Sequence, residues 1–323
     1  MNYKIYNADC LEKMKELAED NVKVDLVLTD PPYGTIKGIT NLKGWENTST
    51  EWDEKINMDK ALPLCDTLLR EKGTLILFSQ EPYTSYLRIN SYYNLPFTYP
   101  LIWIKDHFCN NLGVNKAPVS YFEDINVFRK KYDSNSENPL RVYAQNLLKF
   151  IGLTYKEIEK IEGHRKLEHF FYRTSSLQFG LPTREMYDLL INKYNIKEFE
   201  GFLTYDEMLI INKQNKPIFN IPAGQNYKSN ILSYPKDYTN LHPTQKPVLL
   251  LEDLIKTYSN ENNTVLDFTM GSGSTGIACQ NTNRDFIGIE LDENYFNIAK
   301  KRLEENSKQT KLTSFKRGQT ALI

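Results

Sequence analysis

The sequence predicts an α/β fold: an open, mostly parallel sheet of seven strands, doubly wound by helices on both faces and interrupted by a mainly helical module. Three observations predict it. Seven short apolar segments read as strands, and helical patterns alternate with several of them, as in a parallel sheet covered on both faces. A glycine turn, Gly271-Ser272-Gly273-Ser274-Thr275-Gly276, stands between a strand and a helix. Strand signals thin out between about Lys130 and Asn230, where helix signals and polar loops take over. A chain of 323 residues is long enough for a full sheet core and a second module. The expected division is residues 1–130 with 231–323 for the sheet domain and 131–230 for the insert.

Taken in order, Tyr3–Asn7 reads as the first strand, and Leu11, Met14, Leu17 and Ala18 give one apolar face to the helix after it. Asp9 with Glu12 has capping-box spacing for that helix. Val24–Thr29 reads as a buried strand, stopped by Pro31 and Pro32 because neither can donate to a ladder. Gly73–Phe78, Tyr99–Ile104 and Asp124–Phe128 are the next strands. Inside the insert, Leu140, Tyr143, Leu147, Leu148 and Ile151 recur with helical period. Thr154 and Glu157 form a capping box, with a staple between Leu153 and Ile158. Gly163 ends that helix, Leu167, Phe170 and Phe171 line a third, and a fourth starts at Thr183 with Met186, Leu189 and Leu190 facing in. Two short helices across a glycine turn suggest a helix-turn-helix. Pro247 suits the first position of a helix reaching Tyr258. Thr264–Phe268 and Phe286–Glu290 are the last strands, and the polar residues after about Ser307 read as loose.

Composition excludes several classes. The chain is 40% hydrophobic without a run of membrane-spanning length. The segment Met1-Asn2-Tyr3-Lys4-Ile5 lacks the pattern of a secretion signal, so a cytoplasmic protein is expected. Cys10, Cys65, Cys109 and Cys279 are scattered, with no spacing for zinc or a disulfide framework, so no metal site is expected. Net charge is -1, so attraction to phosphate must come from local patches.

Asp30-Pro31-Pro32-Tyr33 is the most informative tetrapeptide. It sets a carboxylate, a carbonyl held by fixed proline φ angles and an aromatic face together at a strand's end. This is equipment for gripping a flat nitrogen base by its amino group; alone it would also read as an acidic, proline-rich turn. The second motif is the glycine turn after Val265-Leu266-Asp267-Phe268, with Phe286-Ile287-Gly288-Ile289-Glu290 ending in an acid about 20 residues on. That is a nucleoside-binding pattern in its proper strand–turn–helix setting. Only about fifty residues follow it, too few to finish a dinucleotide domain. The other strands must come from the N-terminal half, in circularly permuted order.

With both motifs placed, the chain resembles the S-adenosylmethionine-dependent DNA amino-methyltransferases, in particular the permuted β class. The likeness covers about residues 1–130 and 231–305. It also includes Asn7-Ala8-Asp9-Cys10, Gly73-Thr74-Leu75-Ile76-Leu77-Phe78, Trp103-Ile104-Lys105 and His242-Pro243-Thr244-Gln245-Lys246-Pro247. The family usually has proline after the loop aspartate, where this chain has Phe268. The resemblance implies a Rossmann-like methyltransferase fold with one reversed strand. It implies S-adenosylmethionine as cofactor, held around Asp267, Phe268, Gly271, Ser272, Gly273 and Thr275. Glu290 would take the ribose hydroxyls and Asp9 the adenine, helix capping being the other explanation of Asp9. Thr244 and Lys246 would lie near the methionine end, unless Lys246 is a solvated charge.

The implied activity is methylation of a base flipped out of double-stranded DNA. Asp30 and the Pro31 carbonyl would take the two N–H groups of its amine while Tyr33 stacks on the ring, with Pro32 holding the turn. No Pro-Cys dipeptide occurs, so the covalent route to 5-methylcytosine lacks its nucleophile. The family's adenine enzymes mostly carry Asp at the first tetrapeptide position, so Asp30 implies adenine N6. Cytosine N4 is the alternative, and a non-catalytic DNA-binding protein of this fold the reading from another class. The insert would be the target-recognition module, with His164, Arg165, Lys166, His169, Tyr172 and Arg173 facing outward, or else a helical spacer with a solvated basic face. The loop Gly34–Lys55 carries Trp45 and Trp52, read equally as base-closing or packing residues. A homodimer and a cognate restriction endonuclease are partners the sequence leaves open.

Overall fold

The computed structural model describes residues 2–34, 54–109, 115, 118–131, 138–176, 178–215, 217–237 and 245–320. Trp45, Trp52 and Thr244, with the roles expected of them, lie outside the described residues.

The chain forms two compact units, Met1–Lys131 with Pro217–Ile323, and Tyr132–Lys216. The insert is thus shorter than 131–230. Residues 217–230 go with the sheet because Asn220 donates to the Lys256 and Ser259 carbonyls at 2.9 and 3.1 Å, and Ile102 donates to the Asn230 carbonyl at 2.8 Å.

The sheet unit contains β1 (Tyr3–Asn7), β2 (Val24–Thr29), β3 (Leu69–Ser79), β4 (Phe97–Cys109), β5 (Ser120–Arg129), β6 (Ile231–Ser233), β7 (Thr264–Asp267) and β8 (Asp285–Glu290). All seven expected strands form. The eighth, β6, is a three-residue edge strand paired with β4. The order is β1-β8-β7-β2-β3-β5-β4-β6, and β5 alone runs antiparallel to its neighbours. The C-terminal strands β7 and β8 sit between β1 and β2, which is the permuted order required by the glycine turn's position.

Its helices are α1 (Cys10–Glu19), α2 (Met58–Leu68) and α3 (Tyr83–Ile89), then α8 (Val248–Tyr258), α9 (Ser274–Asn281) and α10 (Glu293–Thr320). Side chains of β2 alternate between two cores. Leu26 and Leu28 pack with Leu250, Leu254, Ala278 and Leu303, whereas Val27 packs with Met14, Leu17, Leu62 and Cys65. This two-sided burial explains why the strands read as nearly unbroken apolar runs. Gly276 lets α9 press on the sheet: a Cβ there would stand 2.8 Å from both Phe286 and Leu303 side-chain atoms. α10 continues to Thr320, past the point where the polar sequence suggested loose chain.

The helical unit holds α4 (Pro139–Ile151), α5 (Tyr155–Glu162), α6 (Arg184–Tyr194) and α7 (Tyr205–Asn215). Thr154 and Glu157 make the expected capping box, and Gly163 ends α5 at φ 71°. Leu140, Leu147, Ile158, Phe170, Tyr187 and Leu190 form its core. The third helix is a correction: it is one five-residue π turn, Glu168–Tyr172. Leu167, Phe170 and Phe171 are buried as their spacing required. The turn is too short for a recognition helix of the usual kind.

Candidate functional site

In an open α/β sheet, ligands bind beyond the carboxyl ends of the strands, where strand order reverses. Here that point lies between β2 and β7, which pair directly. Asp30-Pro31-Pro32-Tyr33 leaves one strand and Phe268–Gly273 leaves the other, so topology brings the two sequence motifs together.

Hydrogen bonds lock them. The Thr29 hydroxyl donates to Asp267 Oδ1 at 2.8 Å and lies 2.6 Å from the Thr269 hydroxyl. Thr269 donates its amide to Asp267 Oδ1 at 3.1 Å and its hydroxyl to the Asp30 carbonyl at 3.1 Å. Thr275 donates to Asp267 Oδ2 at 2.6 Å. Asp267 is 3% exposed, and burial pushes its carboxyl up to about 6 against these donors. It is a brace joining strand end, turn and α9.

Both oxygens of Asp30 are engaged. Tyr33 donates its hydroxyl to Oδ1 at 2.6 Å, and the Lys246 ammonium pairs with Oδ2. Lys246 also reaches Glu123 Oε2 at 3.4 Å, and Lys105 pairs with Glu123 Oε1 at 2.9 Å. Lys246, Glu123 and Lys105 are all buried. The Lys246 ammonium stands 5.1 Å from the centre of the Phe78 ring, and that of Lys105 stands 5.0 Å from the Trp103 ring. Burial holds the Asp30 carboxyl above its ordinary value, with Lys246 pulling the other way. Burial also pushes Glu123 up, but the two ammonium groups overcome it and leave Glu123 below its ordinary value. For Lys246, burial lowers the ammonium, yet Asp30 and Glu123 outweigh it and hold it above its ordinary value. Lys246 therefore stays charged and is no proton acceptor here. The Tyr33 ring lies 5.8 Å from that of Tyr83, tilted by 42°.

On the other side of the crevice, Glu290 ends β8. Its Oε2 accepts from the Gly271 amide at 2.8 Å and its Oε1 from the Asp292 amide at 2.8 Å. Each carboxylate oxygen retains a further lone pair for hydroxyl donors, so the residue fits a ribose diol. Gly271 and Gly273 take φ of 51° and 81°, conformations that side chains rarely adopt. Phe268 and Ser272 are buried, and the Ser272 hydroxyl donates to Gln245 Oε1 at 3.2 Å. Asp267, Phe268, Ser272 and Thr275 thus turn their side chains into the protein, leaving the backbone of the turn to face a ligand. Asp9 caps α1, accepting from the Leu11 and Glu12 amides through Oδ1 at 2.8 and 3.0 Å.

Residues 24–301 match the family model described as DNA methylase. The chain belongs to that family. Type II methyltransferase M.HinfI of Haemophilus influenzae is 44% identical over 313 residues, covering 93% of this DNA methylase and 68% of that protein. Type II methyltransferase M2.MboI of Moraxella bovis is 34% identical over 315 residues, covering 94% and 88%. Among solved structures, the M1.HpyAVI–SAM complex shares the fold with a TM-score of 0.53 at 23% identity, over 93% of this chain and all of that one.

The methylase's predicted residues fall into three groups. Asp30, Tyr33, Gly271, Gly273, Glu290 and Lys246 converge on the crevice, whereas Asp267, Phe268, Ser272 and Thr275 are buried behind it. Lys246 is not a solvated charge but a buried one, ion-paired with Asp30. The basic candidates lie in the helical unit. Arg165 pairs with Glu168 at 2.8 Å and Glu159 at 3.6 Å, and Arg173 pairs with Glu168 at 2.6 Å. His169 Nδ1 lies 2.8 Å from the Gln178 carbonyl, while Lys166 and Tyr172 are exposed. Sequence reasoning missed Glu123, Lys105, Thr29 and Thr269. One signal existed for Glu123: an acid pair, Glu123-Asp124, heads a strand buried on both faces, and a buried charge requires a partner.

Proposed function

We propose that this DNA methylase transfers a methyl group from S-adenosylmethionine to N6 of an adenine flipped out of double-stranded DNA. One observation carries the reading. The main-chain carbonyl of Asp30 is tied through Thr269, Thr29 and Asp267 into one hydrogen-bonded frame with the start of the turn that leads on to Gly271–Gly273.

An exocyclic amine is a poor nucleophile because its lone pair is delocalised into the ring. Asp30 and the Pro31 carbonyl accept its two N–H groups and draw the nitrogen toward tetrahedral shape. Orientation and electrostatics do the rest. Flipping the base costs a few kcal/mol, and stacking on Tyr33 returns roughly 1–3 kcal/mol. S-adenosylmethionine, when bound, supplies the electrophilic methyl group. Glu290 would hold its ribose, the Gly271–Gly273 backbone would line its site, and Asp9, which also caps α1, would take its adenine. The helical unit selects the target sequence through Arg165, Lys166, His169, Tyr172 and Arg173.

The relatives are type II methyltransferases by name, which supports a cognate restriction endonuclease as companion and a cytoplasmic setting. No described helix is long and apolar enough to cross a membrane. A homodimer is compatible with this reading.

The test is to express the protein in cells free of DNA methylation, digest the DNA to nucleosides and identify the modified one, mapping its positions by sequencing. N6-methyladenine at one repeated site is expected. N4-methylcytosine would replace adenine as the target. No modified nucleoside, together with no binding of S-adenosylmethionine, would make the protein a non-catalytic DNA binder.

A further inference from the structure

The Lys246 ammonium pairs with Oδ2 of Asp30, the carboxylate proposed above to grip the target amine. A buried ion pair contributes little net stability, because desolvation offsets the attraction. Its retention beside the reacting carboxylate therefore calls for another explanation. A second acceptor lies within reach: Glu123 Oε2 is 3.4 Å from the Lys246 ammonium and makes no ordinary hydrogen bond, although its atom is buried. The other oxygen, Oε1, is already fixed by Lys105 at 2.9 Å. One oxygen of the Glu123 carboxylate is thus left short of a full hydrogen bond beside a lysine that Asp30 holds more closely.

We propose that Lys246 is a placeholder for the target amine: it holds Asp30 in the base-free protein and withdraws onto Glu123 Oε2 when the base enters. This rests on reading Asp30 as the group that grips the base. The exchange leaves no buried charge without a polar partner: Lys246 keeps a carboxylate, and Asp30 passes from an ammonium to the N–H groups of a neutral amine. Before entry Lys246 bridges Asp30 and Glu123; afterwards Glu123 holds Lys246 and the amine holds Asp30. No proton is transferred. The withdrawal also matters for the reaction, since the target nitrogen gains positive charge as it takes the methyl group, and an ammonium beside it would oppose that. Glu123 and Lys246 are therefore positioning residues, acting through the carboxylate they do or do not occupy.

The experiment compares two duplexes carrying the mapped target site, one with adenine at the target and one with purine, which lacks the amine. The wild-type protein should prefer adenine by about tenfold, the worth of one hydrogen bond to a charged group. In Glu123→Gln the lysine loses its second seat and stays on Asp30, so the preference should collapse toward one and kcat/KM fall about tenfold. Adding Lys246→Met to Glu123→Gln removes the competitor and should restore the preference. A purely structural role predicts instead that the double variant is worse than the single one, and that result overturns the proposal. A Glu123→Gln protein with wild-type preference overturns it as well. Cofactor affinity reports folding. Should Glu123→Gln fail to fold, Glu123→Asp, with the carboxylate drawn back by one methylene, is expected to show the same loss in weaker form. Undiminished adenine preference in Asp30→Ala would instead defeat the reading of Asp30 itself. If Asp30→Ala loses it and Glu123→Gln does not, the exchange alone is wrong.

Discussion

Thr269 donates its hydroxyl to the carbonyl oxygen of Asp30 at 3.1 Å, across 239 residues of sequence. The bond fixes the peptide at which the tetrapeptide leaves β2, and through it the direction of both proposed amine acceptors. Because Thr269 belongs to the turn after β7, the acceptors are positioned relative to the crevice where the cofactor is proposed to lie. Transfer reactions demand this, since a misplacement of about 1 Å can cost on the order of a hundredfold in rate.

Asp30→Ala removes the carboxylate but leaves the Thr269 bond to the main chain. Single-turnover methylation should fall at least about a hundredfold, as when a charge-stabilising group is lost. Cofactor affinity, measured by calorimetry, should hold. Near-normal turnover would remove Asp30 from the chemistry.

Tyr33 has two separable parts. Its hydroxyl donates to Asp30 Oδ1 at 2.6 Å, and its ring is the proposed stacking face. Tyr33→Phe keeps the ring and should lose about tenfold or less, one hydrogen bond to a charged group. Tyr33→Ala should lose roughly a further 1–3 kcal/mol of stacking. Identical rates for the two variants would leave the ring without a role.

The strands were legible because a strand buried on both faces must be a run such as Val24–Thr29, and the glycine turn carries its own strand and helix. The permuted order followed from the few residues left after Gly276. What escaped detection depends on proximity in space. Nothing local in Lys246 indicates Asp30 or Glu123, and β6 is too short for any periodicity. Leu167, Phe170 and Phe171 correctly showed a buried face. Three residues cannot distinguish one π turn from a helix several turns long. Asp267 has the position of a ligand-binding acid, but Thr29, Thr269 and Thr275 turn it inward.

Asp267 gives a pH signature. Burial raises its carboxyl from an ordinary 3.8 to about 6 in the folded protein. The folded state therefore binds this proton more tightly than the unfolded chain. Its stabilising contribution is complete below about 3.8 and disappears as pH rises through about 6. Asp267→Asn has no such titration, and its amide nitrogen can donate to the Thr275 hydroxyl. At about 1.4 kcal/mol per pH unit, the stability of wild type relative to the variant should drop by up to about 3 kcal/mol between pH 4 and pH 8. Denaturant unfolding across that range measures it. A flat difference would mean that Asp267 titrates as an ordinary carboxyl.

Arg165 and Lys166 test the role proposed for the helical unit. Each phosphate neutralised by a protein cation contributes about 0.9 to the slope of log affinity against log salt. Arg165 already pairs with Glu168 at 2.8 Å, which cancels much of its charge, while Lys166 is exposed. Lys166→Ala should therefore lower the slope by about one, and Arg165→Ala by clearly less. Affinity for any duplex should fall with it. Fluorescence titration of a labelled duplex at several salt concentrations reads both quantities. If both slopes match wild type and the methylated sequence is unchanged, DNA recognition lies outside this turn.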